Sequence, residues 1–169
     1  MYYKIIESFG PEDKEKWQSY IQWRDLELTS FDSVDGILRP DLFVPESRED
    51  WQNCVNEDNK LSFIMDLDYA QEILDRYDKA LIVGVDIELE VGYVPAEGFL
   101  GFDIIDGYCD ISLVTNWGTD EEDIFSEQVM NNGLIADLDR TLQIRDMLRK
   151  EFSEDAHAQG SEVWAIYKV

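Results

Sequence analysis

Apolar residues along this chain alternate in some stretches and recur at helical spacing in others, and the two rhythms mark out its elements. "YYKIIESF", residues 2–9, reads as an opening strand. Gly10-Pro11 then begins a helix, because proline is tolerated in a first turn and Glu12 and Asp13 suit its positive end. Trp17, Tyr20, Ile21 and Arg24 recur at helical spacing, which makes Trp17 a core anchor. Residues 26–43 carry Asp35-Gly36, a hairpin-turn pair, and Pro40 demotes the returning arm to an edge strand or a loop. Residues 45–56 read as a short helix capped by Ser47, with Trp51, Cys54 and Val55 facing inward. A short strand at 60–65 follows. The helix at 66–78 has Leu67, Ala70, Ile73, Leu74 and Tyr77 along one side.

The run 79–93 begins fully apolar and becomes alternating. Leu81, Val83, Val85, Ile87 and Leu89 point one way; Ile82, Gly84, Asp86, Glu88 and Glu90 point the other. Residues 98–118 give the clearest hairpin, folded about Asp106-Gly107, a preferred pair for a two-residue turn. That turn sets Ile105 opposite Tyr108, Ile104 opposite Cys109, Asp103 opposite Asp110 and Phe102 opposite Ile111. Cys109 then falls on the buried face, and Asp103 meets Asp110 on the other. In "NWGTDEED", Thr119 and Glu122 form a capping box, so Asp120 to Asp123 fill a helix's first turn and meet its dipole. Asn131-Asn132-Gly133 breaks the chain. A longer helix at 134–152 carries Ile135, Leu138, Leu142, Leu148 and Phe152, and residues 161–169 close as a strand. The order predicts one α+β domain over 1–169, with an antiparallel or mixed sheet and helices packed on one face.

Composition changes this picture through charge. The chain is 44% hydrophobic and 12% aromatic, enough for a real core, yet its formal net charge is -24. Residues 25–133 hold 27 acids against five bases. A field of that sign repels nucleic acid and anionic membranes, and it steers a basic partner. Solubility alone is the plainer use of such charge. No stretch approaches the roughly 18 apolar residues of a membrane span, and the first residues do not form a signal peptide. Cys54 and Cys109 are too few for a disulfide framework, which points to a reducing cytoplasm.

Motifs for chemistry are scarce. His157 is the one histidine, in "SEDAHAQG", and neither cysteine has a metal-type spacing. There is no glycine-rich phosphate loop, no G-x-S-x-G and no H-E-x-x-H, so no cofactor is expected. The carboxylates are the one constellation with content. If the strand over 80–90 lies near the hairpin, Asp86, Glu88, Glu90, Asp103 and Asp110 share the outer face of one sheet. Like charges opposite one another cost about 0.2–1 kcal/mol per pair, so folding alone would not select Asp103 against Asp110. Three readings compete: a tolerated wet face, a docking face for a basic protein, or a site for a hard cation such as calcium, magnesium or manganese. The spacing of Asp32, Asp35 and Asp41 is not that of a calcium loop. Trp117, Tyr108 and Tyr93 lie beside the acidic set in sequence, and exposed aromatics among carboxylates suit an interface; core packing competes for Trp117. The expected partner-binding set is therefore Asp86, Glu88, Glu90, Asp103, Asp110, Tyr108 and Trp117.

The segment "LGFDIIDGYCDISLVTNWG", residues 100–118, resembles a segment of small bacterial immunity proteins, the cytosolic partners of secreted toxins. Those proteins are small, acidic and α+β, and they block a toxin's active site by stoichiometric binding. The resemblance implies neutralisation of a cognate toxin domain. It places no functional residue, since such proteins bind through variable surfaces. A carboxylate-based divalent-metal enzyme and a DNA-mimic inhibitor are the alternatives that the same acidity admits.

Overall fold

The computed structural model describes residues 1–21, 26–56, 60, 62–87, 89–90, 92–116 and 128–169, apart from the side chain of Pro11. Strands β1 (Tyr2–Glu7), β2 (Ala80–Asp86), β3 (Phe99–Ile105) and β4 (Glu162–Lys168) form one antiparallel sheet in the order β1-β2-β4-β3. After a 3-10 turn at Pro11–Asp13 come helices α1 (Lys14–Tyr20), α2 (Arg48–Asn53), α3 (Leu67–Leu74), α4 (Leu138–Glu151) and α5 (Ala156–Gln159). The fold is α+β, as the sequence predicts.

Acidic residues start several of these helices. Asp66, Asp137 and Asp155 each accept a backbone N–H at the first turn of α3, α4 and α5, and Ser47 does so for α2. Each such cap is worth about 1 kcal/mol against alanine. Part of the acidic surplus is thus structural.

The strand registers fix the two faces of the sheet. Ile5 lies opposite Ile82, Gly84 opposite Tyr167, and Ala165 opposite Phe102, so these residues share one face. Helix α3 covers its β1–β2 half with Ala70 and Ile73, and α4 covers its β3–β4 half with Ile144 and Leu148. Ile6, Val83, Val85, Trp164, Ile166 and Ile105 line the other face, and they too are buried, under Val34, Phe63 and Leu134 from irregular segments. Each such side chain contributes roughly 1.5–3 kcal/mol. Trp17 of α1 anchors a smaller cluster with Leu28, Phe31 and Leu38.

Helices α3 and α4 therefore share one face of the sheet, but the opposite face is not wet. The outer edges are closed as well. Tyr3 exchanges backbone hydrogen bonds with Ile64, and the Leu42 N–H donates to the Ile5 carbonyl. On β3, Phe102 exchanges bonds with Ile135, and the Leu113 N–H donates to the Ile104 carbonyl. The pairs Tyr3–Ile64 and Phe102–Ile135 are isolated bridges.

Several expectations change. The 60–65 strand reduces to isolated bridges at Ile64. Asp35-Gly36 makes a turn with no flanking strands. The 134–152 helix begins only at Leu138, because Ile135 is spent bridging Phe102. Trp51 faces outward from α2, while Cys54, just past the helix, is buried. Among the described residues of the 98–118 hairpin there is no second strand: β3 pairs with β4, and the returning chain meets β3 at one bridge, Ile105–Ser112. Asp110 takes a φ of 51°, widening the turn beyond two residues. Ile105 thus faces Ser112 rather than Tyr108. The Thr119–Glu122 capping box and the run Asp120 to Asp123 lie outside the described residues.

Candidate functional site

The widened turn after β3 gathers most of the polar chemistry, and buried carboxylates build it from beneath. Asp103, midway along β3, is fully buried on the face opposite α3 and α4, beside Trp164 in register. Its carboxylate accepts from the Ser33 hydroxyl at 2.7 Å, the Ser112 hydroxyl at 2.7 Å and the Ile104 N–H at 2.9 Å. Burial pushes its pKa up to about 7; the two serines pull the other way, and the charge of Asp35 adds to the rise. Asp35, also buried, accepts from the backbone of Ile37, Leu38 and Ser112 and from the Tyr20 hydroxyl, and burial raises it too. Ser112 therefore ties the two acids together, one through its N–H and one through its hydroxyl.

Lys4, in the middle of β1, is fully buried. Its ammonium lies 2.8 Å from Asp110 and 3.0 Å from Asp41, and 4.8 Å and 5.0 Å from the ring centres of Phe63 and Trp164. Two carboxylates and two aromatic faces replace the water that a lone buried ammonium would lose. Asp110 also accepts from the Gly36 N–H through its carbonyl, so the turn is held at both backbone and side chain. Burial raises the Asp110 carboxyl, and Lys4 opposes the rise.

At the tip, Asp106 is buried and accepts from the Tyr108 N–H at 2.8 Å. Its second oxygen is hydrogen-bonded to Nδ1 of His157 on α5, and that bond raises the imidazole's pKa. Tyr108 is 70% exposed, and Cys109 is an exposed free thiol. The expectation of a buried, inert Cys109 is overturned, because the turn is longer than two residues and the register slips. The Cys109 sulfur, an Asp106 oxygen and a His157 nitrogen lie within 4.8 Å of one another.

The expected partner-binding set does not assemble. Asp103 is buried and faces Trp164, not Asp110, while Asp110 is committed to Lys4. Asp86, the last residue of β2, lies on the sheet face opposite to that of Asp103, 2.9 Å from the Met1 amine and 2.7 Å from the Tyr93 hydroxyl. Glu90 lies beyond the end of β2 and is exposed. Glu88 and Trp117 lie outside the described residues. The hard-cation reading loses its geometry with the same result. For the described carboxylates the reason is shared: β4 separates β2 from β3, and both sheet faces are covered.

Two further places carry surface chemistry. A cleft of about 250 Å³ beside α4 is lined by Lys60, Ile87, Leu89, Leu142, Arg145 and Arg149. Its cations are engaged: Arg149 donates to the Ser161 carbonyl, Arg145 to Asp146, and Lys60 lies 3.9 Å from Glu162. The second place is the outer side of α2. Trp51 is 45% exposed, Val44 64% and Met65 50%. The Met65 N–H donates to the Asn53 carbonyl at 2.8 Å, which sets the 64–65 segment alongside the end of α2. Exposed acids neighbour all three residues in sequence: Glu46, Glu49, Asp66 and Asp68. Beneath them, buried Asp50 is held well below the usual carboxylate range, chiefly by the Tyr69 hydroxyl and then the Ser47 N–H.

Comparison with protein-family models, with curated proteins and with solved structures finds no significant match.

Proposed function

We propose that this chain is a small acidic cytoplasmic protein that neutralises a basic protein by stoichiometric binding, as an immunity protein covers a cognate bacterial toxin domain. One observation carries the reading. Trp51 on α2 and Met65 on the stretch bonded to the end of α2 are exposed, as is Val44 just before that helix, and the nearest charges in sequence are mostly carboxylates, Arg48 excepted. An apolar anchor inside a charged rim is the anatomy of an interface hot spot, and the rim's sign selects a basic partner. The overall charge of -24 speeds encounter with that partner, and the apolar residues hold it once docked. Among the described residues no helix is long and apolar enough to cross a membrane. Among the described residues Tyr108 is the member of the expected binding set that stands as an exposed aromatic, and it forms a second contact point.

The test uses the purified chain as bait in a lysate of its source cells, at low and at moderate salt. One basic protein retained at moderate salt supports the reading. Trp51→Ala should weaken that complex by at least about thirtyfold, the scale of a hot-spot residue, with an unchanged melting temperature. A set of basic proteins that all wash off with salt, or an unaltered affinity in Trp51→Ala, would reject it.

A further inference from the structure

The turn tip and α5 meet more closely than side chains would normally permit. A Cβ on Gly107 would lie 2.7 Å from the Gly160 carbonyl oxygen, and a Cβ on Gly160 would lie 2.7 Å from the Tyr108 ring. The two glycines let the backbones touch, and this brings His157 over the turn. Its ring packs edge-on against Tyr108 at 6.2 Å. Asp106 and Cys109 come from one turn, three positions apart, and His157 from a distant element. Two ligands on a tight turn and one from elsewhere is how small zinc sites are assembled.

We propose that Asp106, Cys109 and His157 form a site for a borderline-soft divalent cation, zinc foremost, with the fourth position open to water or to a group from outside. Their donor atoms already lie within 4.8 Å of one another. Tetrahedral zinc, with bonds of about 2.3 Å to sulfur and about 2.0–2.2 Å to nitrogen and oxygen, sets donor separations of roughly 3.3–3.6 Å. Binding asks for rotamer adjustments of Cys109 and His157, both exposed, and exchanges the His157–Asp106 hydrogen bond for bonds to the metal, while Asp106 stays fixed by the Tyr108 N–H. The donor set decides the metal: thiolate and imidazole select zinc over calcium and magnesium, which want oxygen alone. Asp110 adds no fourth ligand, since Lys4 holds it. The site does not depend on the partner-binding reading, and it differs from the hard-cation site among the competing readings of the sheet carboxylates.

Cobalt(II) tests the site in the full chain, with a non-thiol reductant and excess magnesium to occupy the surface carboxylates. The expected result is a sulfur-to-cobalt charge-transfer band and tetrahedral d–d bands that saturate at one equivalent and are displaced by zinc. Cys109→Ser should abolish the charge-transfer band. His157→Ala should weaken binding by at least about tenfold. Both residues are exposed, so both variants should keep the wild-type circular dichroism. Absence of a saturable band, or equal binding by wild type and both variants, would overturn the site. Either result leaves the pull-down outcome for Trp51 unaffected.

Discussion

Asp103 offers the sharpest test of the structure, because a fully buried carboxylate must make stability depend on pH. In the unfolded chain this group titrates near its ordinary value of 3.8; in the fold, burial moves it to about 7. Between those values the folded state holds a proton that the unfolded state has released. Stability from this group is therefore complete below pH 4, falls by about 1.36 kcal/mol per pH unit up to about 7, and then levels off. The interval of 3.2 pH units sets a ceiling of about 4 kcal/mol. Asp35 shares the buried charge through Ser112, so about 2–4 kcal/mol is expected for Asp103 itself. Asp103→Asn removes the charge and keeps the shape. Its oxygen can accept from Ser112 and Ile104, and its amide can donate to Ser33, whose hydroxyl rotates. Urea unfolding of both proteins at half-unit steps from pH 4 to 8 gives a difference curve in which every other carboxylate cancels to first order. The variant should gain on the wild type steadily between pH 4 and 7 and be the more stable protein at pH 8. A flat difference curve would refute the burial of an isolated charge at this position.

Lys4→Met should cost about 3 kcal/mol at pH 7, because it leaves Asp41 and Asp110 facing each other without their cation, and the deficit should shrink at lower pH as Asp110, whose carboxyl burial raises, protonates; denaturant unfolding at neutral and acid pH checks it. Tyr69→Phe should cost about 1–2 kcal/mol at neutral pH by removing a donor to buried Asp50. Because that carboxyl is depressed in the fold, its contribution is present above about pH 4 and lost as acid protonates it, so the Tyr69→Phe deficit should fade at low pH in a thermal-melt series.

Strands with strong apolar rhythm were legible from sequence: Tyr2–Glu7, Ala80–Asp86 and Glu162–Lys168 fall inside the expected stretches. The capping chemistry of Ser47 and the buried stripe of Ala70 and Ile73 were legible for the same local reason. What local pattern could not supply was pairing. Asp106-Gly107 invites a two-residue hairpin, but nothing near it announces that β4, some sixty residues on, takes the edge of β3. With β4 between β2 and β3, the carboxylates expected on one face scatter. Asp103 was misplaced because alternation assigns a charged residue to the solvent side, and only the distant hydroxyl of Ser33 and the covering chain around Val34 make the inside tolerable. The His157–Cys109 approach was equally invisible, since it rests on contact between Gly107 and Gly160. The buried Lys4 carried no signal at all within "YYKIIESF".

The strand that closes the sheet is also the last to be made. β4 lies between β2 and β3, so on the ribosome β3 has no partner strand in the sheet and β2 only half its partners until residues 162–168 emerge. The nascent chain must wait, with the apolar edges of β2 and β3 open to any passing strand. Mutual repulsion among 27 acids in residues 25–133, against five bases, keeps such chains apart during that wait. The charge proposed to steer a partner to the finished protein thus also shields the unfinished one.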